Sequence, residues 1–365
     1  MSAARYTELG VLLEDRIYFR EYSDKLPAQR DLQKEFSAAP ATVSRAIQLL
    51  ERGKLLLPGG ATPRCGMRIN KYVRSRKRGV IALVTRTTSL LPAMDWLENR
   101  CRKDGFEVER VVFDAPLHFG HPEPRFFKRF TGVIFLLSSI TVELALYLKE
   151  LKIPFVAANY LPMMLQMDMV EWDHEACWEK IIIELKKKNY RKVELTFPGL
   201  IENYFSFQTK LYLKILRRNN MSIPSMDKQL VPDRNLSNSQ NLQQIFKYFS
   251  KKNNFPEALM IWNGGVLDLL EELCDKYHAP EDMLMIIPVE SIEPIDSKRR
   301  IFQVKSGDYQ RLFLAAYRNL RQRMLAPDMA YKHEFVPYAQ DVEYDFPYNK
   351  NSNKTGASGK EKYGF

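Results

Sequence analysis

The stretch "LPAQRDLQKEFSAAPATVSRAIQLL", residues 26–50, contains two short helical patterns with only a few residues between them. Pro27 and Pro40 suit the first turns of these helices, because the N–H group that proline lacks has no partner there. Helices this short and this close cannot each form a separate core, so we expect them to pack at an angle. One face of the second helix should then remain exposed. The apolar positions of the two patterns are Leu32, Phe36, Val43, Ala46, Ile47 and Leu50.

The residues on either side extend this pair into a small domain. Apolar residues at helical spacing predict a first amphipathic helix from about Thr7 to Arg20. After the pair, "KLLLPGGATPRCGMRI" (54–69) is typical of two short strands joined by a Gly/Pro turn. Three helices and a two-stranded wing fit within about 70 residues. The outer face of the third helix carries Thr42, Ser44, Arg45 and Gln48, and a core requires none of them.

Positive charge is concentrated in this part of the chain. The formal net charge is +11, and residues 1–78 contain 16 Lys and Arg against 8 Asp and Glu. Five of these cations lie within "KYVRSRKR" (71–78). A basic run is often only a solvated linker, but its place directly after the helix pair favours a nucleic-acid partner.

From Gly79 onward the pattern changes to alternating strands and helices. "GVIALVT" (79–85) is a short continuous apolar run, typical of a strand buried in a parallel sheet. Strand and helix patterns then follow one another in two rounds, and a late helix is predicted from about Asp308 to Met324. The 365 residues therefore predict an α/β protein with parallel sheets in two lobes. Residues 347–365 lack apolar positions for a core, and we expect them to be disordered.

Several classes of protein are disfavoured by what the sequence lacks. It has no run of 18 apolar residues and no basic-then-apolar leader, so we expect a cytoplasmic protein that does not bind a membrane. The four cysteines contain no C-x-x-C pair, which favours reduced thiols. His118 and His121 are spaced for a metal on a helix, but the surrounding prolines favour a loop. We expect no metal and no cofactor.

Residues 1–70 resemble the GntR-type winged helix-turn-helix domain. The resemblance rests on "LPAQRDLQKEF" (26–36), "AAPATVSRAI" (38–47) and "LLERGKLLLPGGATPRCGMRI" (49–69). The rest of the chain resembles the LacI/GalR-type effector domain, which is related to periplasmic sugar-binding proteins. Its matching pieces include "RGVIALVT" (78–85), "TGVIFLL" (131–137), "KIPFVAAN" (152–159) and "PEALMIWNGG" (256–265). The order and spacing of these pieces make the combination specific.

These resemblances imply a domain organisation. Residues 1–70 would be the DNA-binding domain, and residues 71–78 a basic linker. Residues 79–346 would form a two-lobed effector-binding and dimerisation domain. Its first lobe would comprise about 79–160 and 290–325, and its second lobe about 161–289 and 326–346.

The first resemblance implies a set of DNA-contacting residues. It also shows departures, because Pro40 and Ser44 stand where the family carries arginines, and Ala39 replaces the usual N-capping serine. An arginine paired with guanine contributes ~1–3 kcal/mol of discrimination, so this chain should read a different sequence or read it more weakly. Arg30 could instead pair with a nearby carboxylate, Arg45 could be a solvated charge, and the wing glycines could serve a tight turn alone. The implied positions are Arg30, Thr42, Ser44, Arg45, Gly60 and Arg64.

The second resemblance implies a small ligand, often a sugar, between the lobes at the carboxyl ends of the strands. Here too the fit is incomplete, because Gln208 stands where an arginine is usual and Gly264 where an aspartate is usual. Trp262 could stack on a sugar or lie in the core. The implied ligand-binding positions are Thr85, Thr88, Asn159, Asp173, Gln208, Trp262, Asn263 and Glu290.

Together these patterns predict a transcription regulator that binds double-stranded operator DNA as a homodimer and is switched by a small effector, which could be a carbohydrate. Dimer symmetry implies a palindromic operator. A different class stays open: a ligand-sensing interaction protein whose degenerate winged helix no longer reads DNA. An enzyme is disfavoured, because the chain contains no nucleophile elbow, P-loop or G-x-G-x-x-G motif. Repression and activation are not distinguished.

Overall fold

The computed structural model of the 365-residue chain divides into two compact units. The first unit comprises residues 1–171 and 309–336, and the second comprises residues 172–308 and 337–365. The structure describes residues 4–57, 66–75, 78–85, 91–112, 124–137, 139–159, 166–198, 202–222, 232–233, 236–262, 267–289, 299–305 and 308–338. The predicted tail, residues 347–365, lies outside these ranges.

The first unit begins with a three-helix head, which we define as residues 4–57 and 66–73. Its helices are α1 (Ala4–Tyr18), α2 (Gln29–Glu35) and α3 (Pro40–Arg52). Burial of apolar side chains from all three helices holds the head together. The members of this core that are completely buried are Leu13, Ile17, Leu32, Val43, Ala46 and Leu50.

Proline marks the start of only one of the two short helices. Pro40 occupies the first turn of α3, as predicted, with Ala39 at the N-cap. Pro27 instead precedes α2, whose N-cap is Ala28. The chain before α2 is held in an extended conformation, because the N–H of Leu26 donates to the carbonyl of Met67 at 2.9 Å. The helix can therefore begin only after this pairing ends.

The rest of the first unit is a six-stranded sheet with helices, which we call the first lobe (residues 78–171 and 309–336). The strand order is β10-β5-β4-β3-β1-β2, and β1 to β5 pair in parallel. The strands are β1 (Val80–Thr85), β2 (Glu107–Val112), β3 (Gly132–Leu136), β4 (Phe155–Ala158), β5 (Asp168–Trp172) and β10 (His333–Val336). The helices are α4 (Leu91–Lys103), α5 (Val142–Glu150) and α10 (Tyr309–Leu325), with 3₁₀ helices at Lys71–Ser75 and Pro124–Arg129.

Two of these strands lie in a sheet to which our domain boundaries did not assign them. We placed residues 161–289 and 326–346 in the second lobe, whereas β5 and β10 belong to the first sheet. The N–H of Met169 donates to the carbonyl of Lys332 at 2.8 Å. The Arg323 guanidinium also pairs with the buried Asp168 carboxylate at 2.6 Å. These contacts, which link residues distant in sequence, explain the assignment.

The second unit has a four-stranded parallel sheet in the order β6-β7-β8-β9. Its strands are β6 (Val193–Thr196), β7 (Ala258–Ile261), β8 (Leu284–Val289) and β9 (Arg300–Lys305). Its helices are α6 (His174–Lys187), α7 (Glu202–Arg218), α8 (Asn238–Lys252) and α9 (Leu267–Lys276). The parallel sheets of both units confirm the predicted α/β class. Among the described helices, none combines the length and the apolar character needed to cross a membrane.

Candidate functional site

The outward face of α3 is the first candidate site. On its inner side Val43, Ala46 and Leu50 are completely buried, which fixes the rotation of the helix about its axis. On its outer side Arg45 and Gln48 are exposed, and Thr42 and Ser44 are partly exposed. The predicted outer face is therefore accessible, and the head core does not use these polar side chains.

The cations near this face differ in their surroundings. Arg30 is exposed on α2, and it makes no ion pair with any described residue. Glu35, a carboxylate on the same helix, is paired instead with Arg16 of α1. The guanidinium of Arg45 lies 5.8 Å from the centre of the Tyr6 ring, within the range of a cation–π contact. Tyr6 thus lies where it can restrict the orientation of Arg45.

Neither α2 nor α3 has a side-chain cap. The N-cap residues are Ala28 and Ala39, and neither can accept a hydrogen bond from the first-turn amides through its side chain. The positive end of each helix dipole is therefore not balanced by a capping oxygen of the protein.

The segments that flank residues 58–65 pair as the arms of a hairpin would. Leu56 forms an antiparallel bridge with Ile69, and the N–H of Leu57 donates to the carbonyl of Arg68 at 2.9 Å. Gly66 permits the close passage of the chain beside Leu26, since a Cβ atom at residue 66 would lie 1.5 Å from the Leu26 carbonyl oxygen. The predicted wing residues Gly59, Gly60 and Arg64 lie outside the described part of the chain.

The predicted ligand residues of the first unit lie at the carboxyl ends of its parallel strands. Thr85 ends β1 and is completely buried. Asn159 follows β4 with a left-handed φ of 53°, and its N–H donates to the carbonyl of Val170 at 2.8 Å. The structure thus brings Thr85 and Asn159 to one edge of the sheet, and Thr88 lies outside the described ranges.

In the second unit the predicted ligand residues have different surroundings. Asp173 caps α6, where its carboxylate accepts a hydrogen bond from the N–H of Ala176 at 3.0 Å. Gln208 is buried on α7, and its Oε1 atom has no hydrogen-bond partner among the described residues. Asn263 and Glu290 lie outside the described ranges.

Trp262 is 1% exposed, directly after β7. Its ring packs edge-on against Trp178, with 5.6 Å between the ring centres. This burial favours the core role that we left open for Trp262 over stacking on a ligand.

A buried cluster of aromatic rings surrounds Trp262. The hydroxyl of Tyr338 lies 2.9 Å from Nδ1 of His174, whose ring stacks near Trp178. Burial lowers the pKa of His174 to about 3, so the imidazole is neutral near pH 7 and its Nδ1 atom can accept a hydrogen bond from the Tyr338 hydroxyl. Sequence patterns did not predict this cluster, because its members are far apart along the chain.

Buried charges in the first unit are the second feature that the sequence patterns missed. Arg78, which we counted among the exposed linker cations, has a side chain only 2% exposed. Its Nη1 atom lies 2.7 Å from the Asp15 carboxylate of α1. Arg321 of α10 is equally buried and contacts the same carboxylate at 2.9 Å. The basic linker therefore ends in a structural ion pair rather than a free charge.

Thiols and metal ligands offer no further site among the described residues. Cys101, Cys177 and Cys274 are buried and form no disulfide. Burial raises the pKa of the Cys101 thiol to about 12, which disfavours the reactive thiolate. No group of three or more potential metal ligands occurs in the described ranges, and His118 and His121 lie outside them.

No protein-family profile matches this chain, and no curated protein matches it in sequence. Solved structures do match it in fold. The transcription regulator CcpA of Lactococcus lactis has a TM-score of 0.57 and 16% identity, and the match covers 71% of this chain and 95% of that one. A LacI family transcriptional regulator from Enterococcus faecium with bound ribose has a TM-score of 0.53 and 15% identity. This match covers 73% of this chain and 98% of the Enterococcus faecium chain.

A LacI family regulator from Weissella paramesenteroides, CCPA, with bound glucose, gives a TM-score of 0.52 at 14% identity. This match covers 74% of this chain and 99% of the Weissella paramesenteroides chain. The head is not covered by these matches. At such identities the likeness concerns the fold alone. Outside the head, this chain has the two-lobed α/β fold found in the ligand-binding domains of LacI-family transcription regulators.

Proposed function

We propose that this chain is a sequence-specific DNA-binding transcription regulator whose head contacts duplex DNA through α3. The outward face of α3 is the observation that carries the proposal. Arg45 and Gln48 are exposed there, whereas the opposite face is fixed in the head core. A helix held in this way can enter the major groove and present long polar side chains to base edges.

The charge of the head supports the same proposal. Residues 1–78 carry twice as many Lys and Arg residues as Asp and Glu residues, and Arg30 is exposed without an ion-pair partner among the described residues. Phosphate contacts supply much of the affinity of such proteins for DNA. The uncapped start of α3 adds a positive dipole end that favours a phosphate. Thr42, Ser44, Gly60 and Arg64 complete the proposed contact set.

We further propose that the regulator acts as a homodimer on a palindromic operator and responds to a small hydroxyl-rich ligand. The fold likeness to regulators with bound ribose and glucose supports this choice of ligand class. The ligand can act only through different affinities for two conformations of the protein. The proposed ligand contacts are Thr85, Thr88, Asn159, Asp173, Gln208, Trp262, Asn263 and Glu290. Among those that the structure describes, Thr85 and Trp262 are the least accessible.

One observation favours a second candidate function. The N-terminal part of α3 exposes Pro40 and Ala41 and carries the small Ser44, so it offers few hydrogen-bond donors to bases. A ligand-sensing interaction protein whose head contacts another protein would also have such a surface.

Selection of genomic DNA fragments by the purified full-length protein separates the two functions. We expect enrichment of a palindromic motif by the wild-type protein and by Arg217→Ala, an exposed control on α7. Enrichment should be lost in the double variant Arg45→Ala, Gln48→Ala. If a dimer neutralises ~8 phosphates, the logarithm of the binding constant should fall with the logarithm of salt concentration at a slope of about −7. No enriched motif from the wild-type protein would overturn the DNA-reading proposal and favour the second candidate.

A further inference from the structure

The head of the first unit is packed directly on α10, so the two are not connected by the linker alone. The hydroxyl of Thr7 in α1 donates to Oε1 of Gln322 in α10 at 3.1 Å, and both side chains are buried. Leu325, at the end of α10, packs against the apolar core of the head. The other side of α10 covers the first sheet, where Leu320 lies against Gly132 of β3. α10 is therefore shared by the core of the head and the core of the first lobe.

Arg321 is the centre of the polar part of this contact. Its side chain is 2% exposed, and its Nη2 atom lies 2.9 Å from both the Glu14 and the Asp15 carboxylates of α1. Its Nη1 atom lies 3.7 Å from the Asp104 carboxylate of the first lobe. Burial by itself would lower the pKa of Arg321, but Glu14 and neighbouring groups more than offset this effect and raise it. Arg321 is thus charged, and it contacts carboxylates of both the head and the first lobe.

Arg78 makes the same connection from the end of the linker. Its Nη1 atom donates to the Asp15 carboxylate at 2.7 Å and to the main-chain carbonyl of Asp104 at 2.6 Å. Its guanidinium also lies 3.9 Å from the centre of the Tyr18 ring of α1. At the other end of the linker, Val73 packs against the head core. Val73 and Arg78, near the two ends of the linker, are therefore both held in place by contacts with the head.

This arrangement strongly disfavours other orientations of the head. If α1 moved away from α10, Arg321 and Arg78 would both lose the Asp15 carboxylate, and Arg78 would also lose its contact with the Tyr18 ring. Separating buried charges from their partners is costly, whereas the intact arrangement gives each guanidinium a carboxylate at a defined distance. Such networks can specify one geometry even when they add little net stability.

We propose that Arg321 and Arg78 are positioning residues that hold the DNA-binding head in one orientation on the first lobe. The head and the first lobe then move as one body, and the spacing between operator half-sites that a dimer can bind is set by this orientation. The inferred spacing of half-sites rests on the proposed function, whereas the fixed orientation of the head on the first lobe does not depend on DNA binding.

A distance measurement on the full-length protein tests the orientation directly. Spin labels would be placed at Arg52→Cys in the head and Glu150→Cys in the first lobe, both exposed, in a Cys65→Ser background. The remaining cysteines are buried. We expect a single narrow distance distribution for this protein and a clearly broader one after Arg321→Met. The matched control is Arg318→Met on the same helix, because Arg318 is 61% exposed and pairs with Glu334 at 3.7 Å. This control should leave the distribution narrow.

A second variant keeps the test informative if the first does not fold. Should Arg321→Met fail to fold, the double variant Glu14→Gln, Asp15→Asn removes the same ion pairs from the head, where both carboxylates are partly exposed. It should also broaden the distribution. A broad distribution in the unaltered protein would overturn the inference, and so would a narrow one in the folded variants.

Binding to the selected operator gives the readout that a merely structural role would not change. With one to five base pairs inserted between the half-sites, the wild-type protein and Arg318→Met should lose at least ten-fold in affinity at most spacings. Arg321→Met or the double variant should bind several spacings within about three-fold of one another. Wild-type tolerance of all spacings would contradict the inference. If no DNA motif is enriched while the distance distribution is narrow, the proposed function fails and the fixed orientation stands.

Discussion

Gly10 of α1 lies so close to Leu325 of α10 that a Cβ atom at residue 10 would come within 2.8 Å of the Leu325 Cδ2 atom. Glycine weakens a helix interior by roughly 1 kcal/mol relative to alanine, so its presence here needs a structural reason. The close approach of the two helices supplies that reason. The contact between head and first lobe thus depends on a missing side chain as well as on buried charges.

We expect Gly10→Val to lower the free energy of unfolding by about 1–3 kcal/mol, because added methyl groups would push α10 away from α1. Gly10→Ala should change it by less than about 1 kcal/mol, since the better helix propensity offsets a contact that the flexible end of Leu325 can relieve. Urea denaturation measures both values. Glu8→Val is the control, because Glu8 is an exposed position on the same helix. Equal losses for Gly10→Val and Glu8→Val would contradict close packing as the cause.

The second prediction concerns the buried pair that attaches β5 to the end of α10. The Asp168 carboxylate accepts hydrogen bonds from Arg323 at 2.6 and 3.0 Å and from the N–H of Lys332 at 2.8 Å. Asp168→Ala would leave the arginine charge buried without this partner, and it should cost ~3–5 kcal/mol of stability. Arg318→Met removes an exposed ion pair and should cost less than about 1 kcal/mol. Similar losses for both variants in urea denaturation would show that the pair is not effectively buried.

The third prediction uses two buried groups of the second unit whose pKa values are shifted in opposite ways. Burial raises the pKa of Glu194 to about 7 from 4.5, although Lys192 partly opposes the shift. Between pH 4.5 and 7 the Glu194 carboxyl therefore binds more protons in the folded state than in the unfolded state. Its contribution to the free energy of unfolding rises as the pH falls through this range. Burial lowers the pKa of His174 to about 3 from 6.5, so there the unfolded state binds the extra proton and stability falls below pH 6.5.

Because these effects oppose one another between pH 4.5 and 6.5, each is visible only when the other is removed. In Glu194→Gln, the free energy of unfolding should fall as the pH decreases, by up to ~1.4 kcal/mol per pH unit relative to the wild-type protein. In His174→Asn it should rise by a similar amount. Tryptophan fluorescence follows this unfolding, since Trp178 and Trp262 lie in the second unit. Parallel pH profiles for the wild-type protein and both variants would contradict the assigned shifts.

The fourth prediction separates a stabilising role of Gln208 from a binding role. A buried polar atom without a hydrogen bond costs ~1–3 kcal/mol, and the Oε1 atom of Gln208 has no partner among the described residues. Gln208→Met should therefore leave the free energy of unfolding unchanged or raise it. Any increase in melting temperature that ribose or glucose gives the wild-type protein should be lost in this variant. Gln244→Met, at an exposed position of α8, is the control. If Gln208→Met lowered the free energy of unfolding and left the effect of sugar on the melting temperature unchanged, Gln208 would serve the core and not ligand binding.

Local periodicity predicted most of the regular elements, because an amphipathic or fully apolar pattern reports which face of an element is buried. The helix with Pro40 in its first turn begins at that residue, and the run at 79–85 is strand β1. Helix α8 was missed although a capping box of Ser237 and Gln240 begins it, a signal that could have been read from the sequence. Strands β5 and β10 were missed as members of the first sheet, since only contacts between distant residues place them there.

The candidate sites were less predictable for a related reason. Exposure of Arg45 followed from the apolar spacing of α3, so periodicity was sufficient there. Burial of Arg78 and Arg321 could not be predicted, because a sequence shows a cation but not the carboxylates that surround it after folding. The same holds for Trp262, whose neighbours Trp178 and Tyr338 lie many residues away.

The most direct measurement of the central proposal is a fluorescence anisotropy titration of a selected palindromic operator with the full-length protein. At fixed salt, the wild-type protein should bind the operator at least 100-fold more tightly than a shuffled duplex of the same composition. Arg45→Ala should weaken operator binding by about 5–100-fold, while binding to the shuffled duplex changes much less. Equal affinity of the wild-type protein for both duplexes, or an Arg45→Ala variant that discriminates as well as the wild type, would contradict DNA reading by α3.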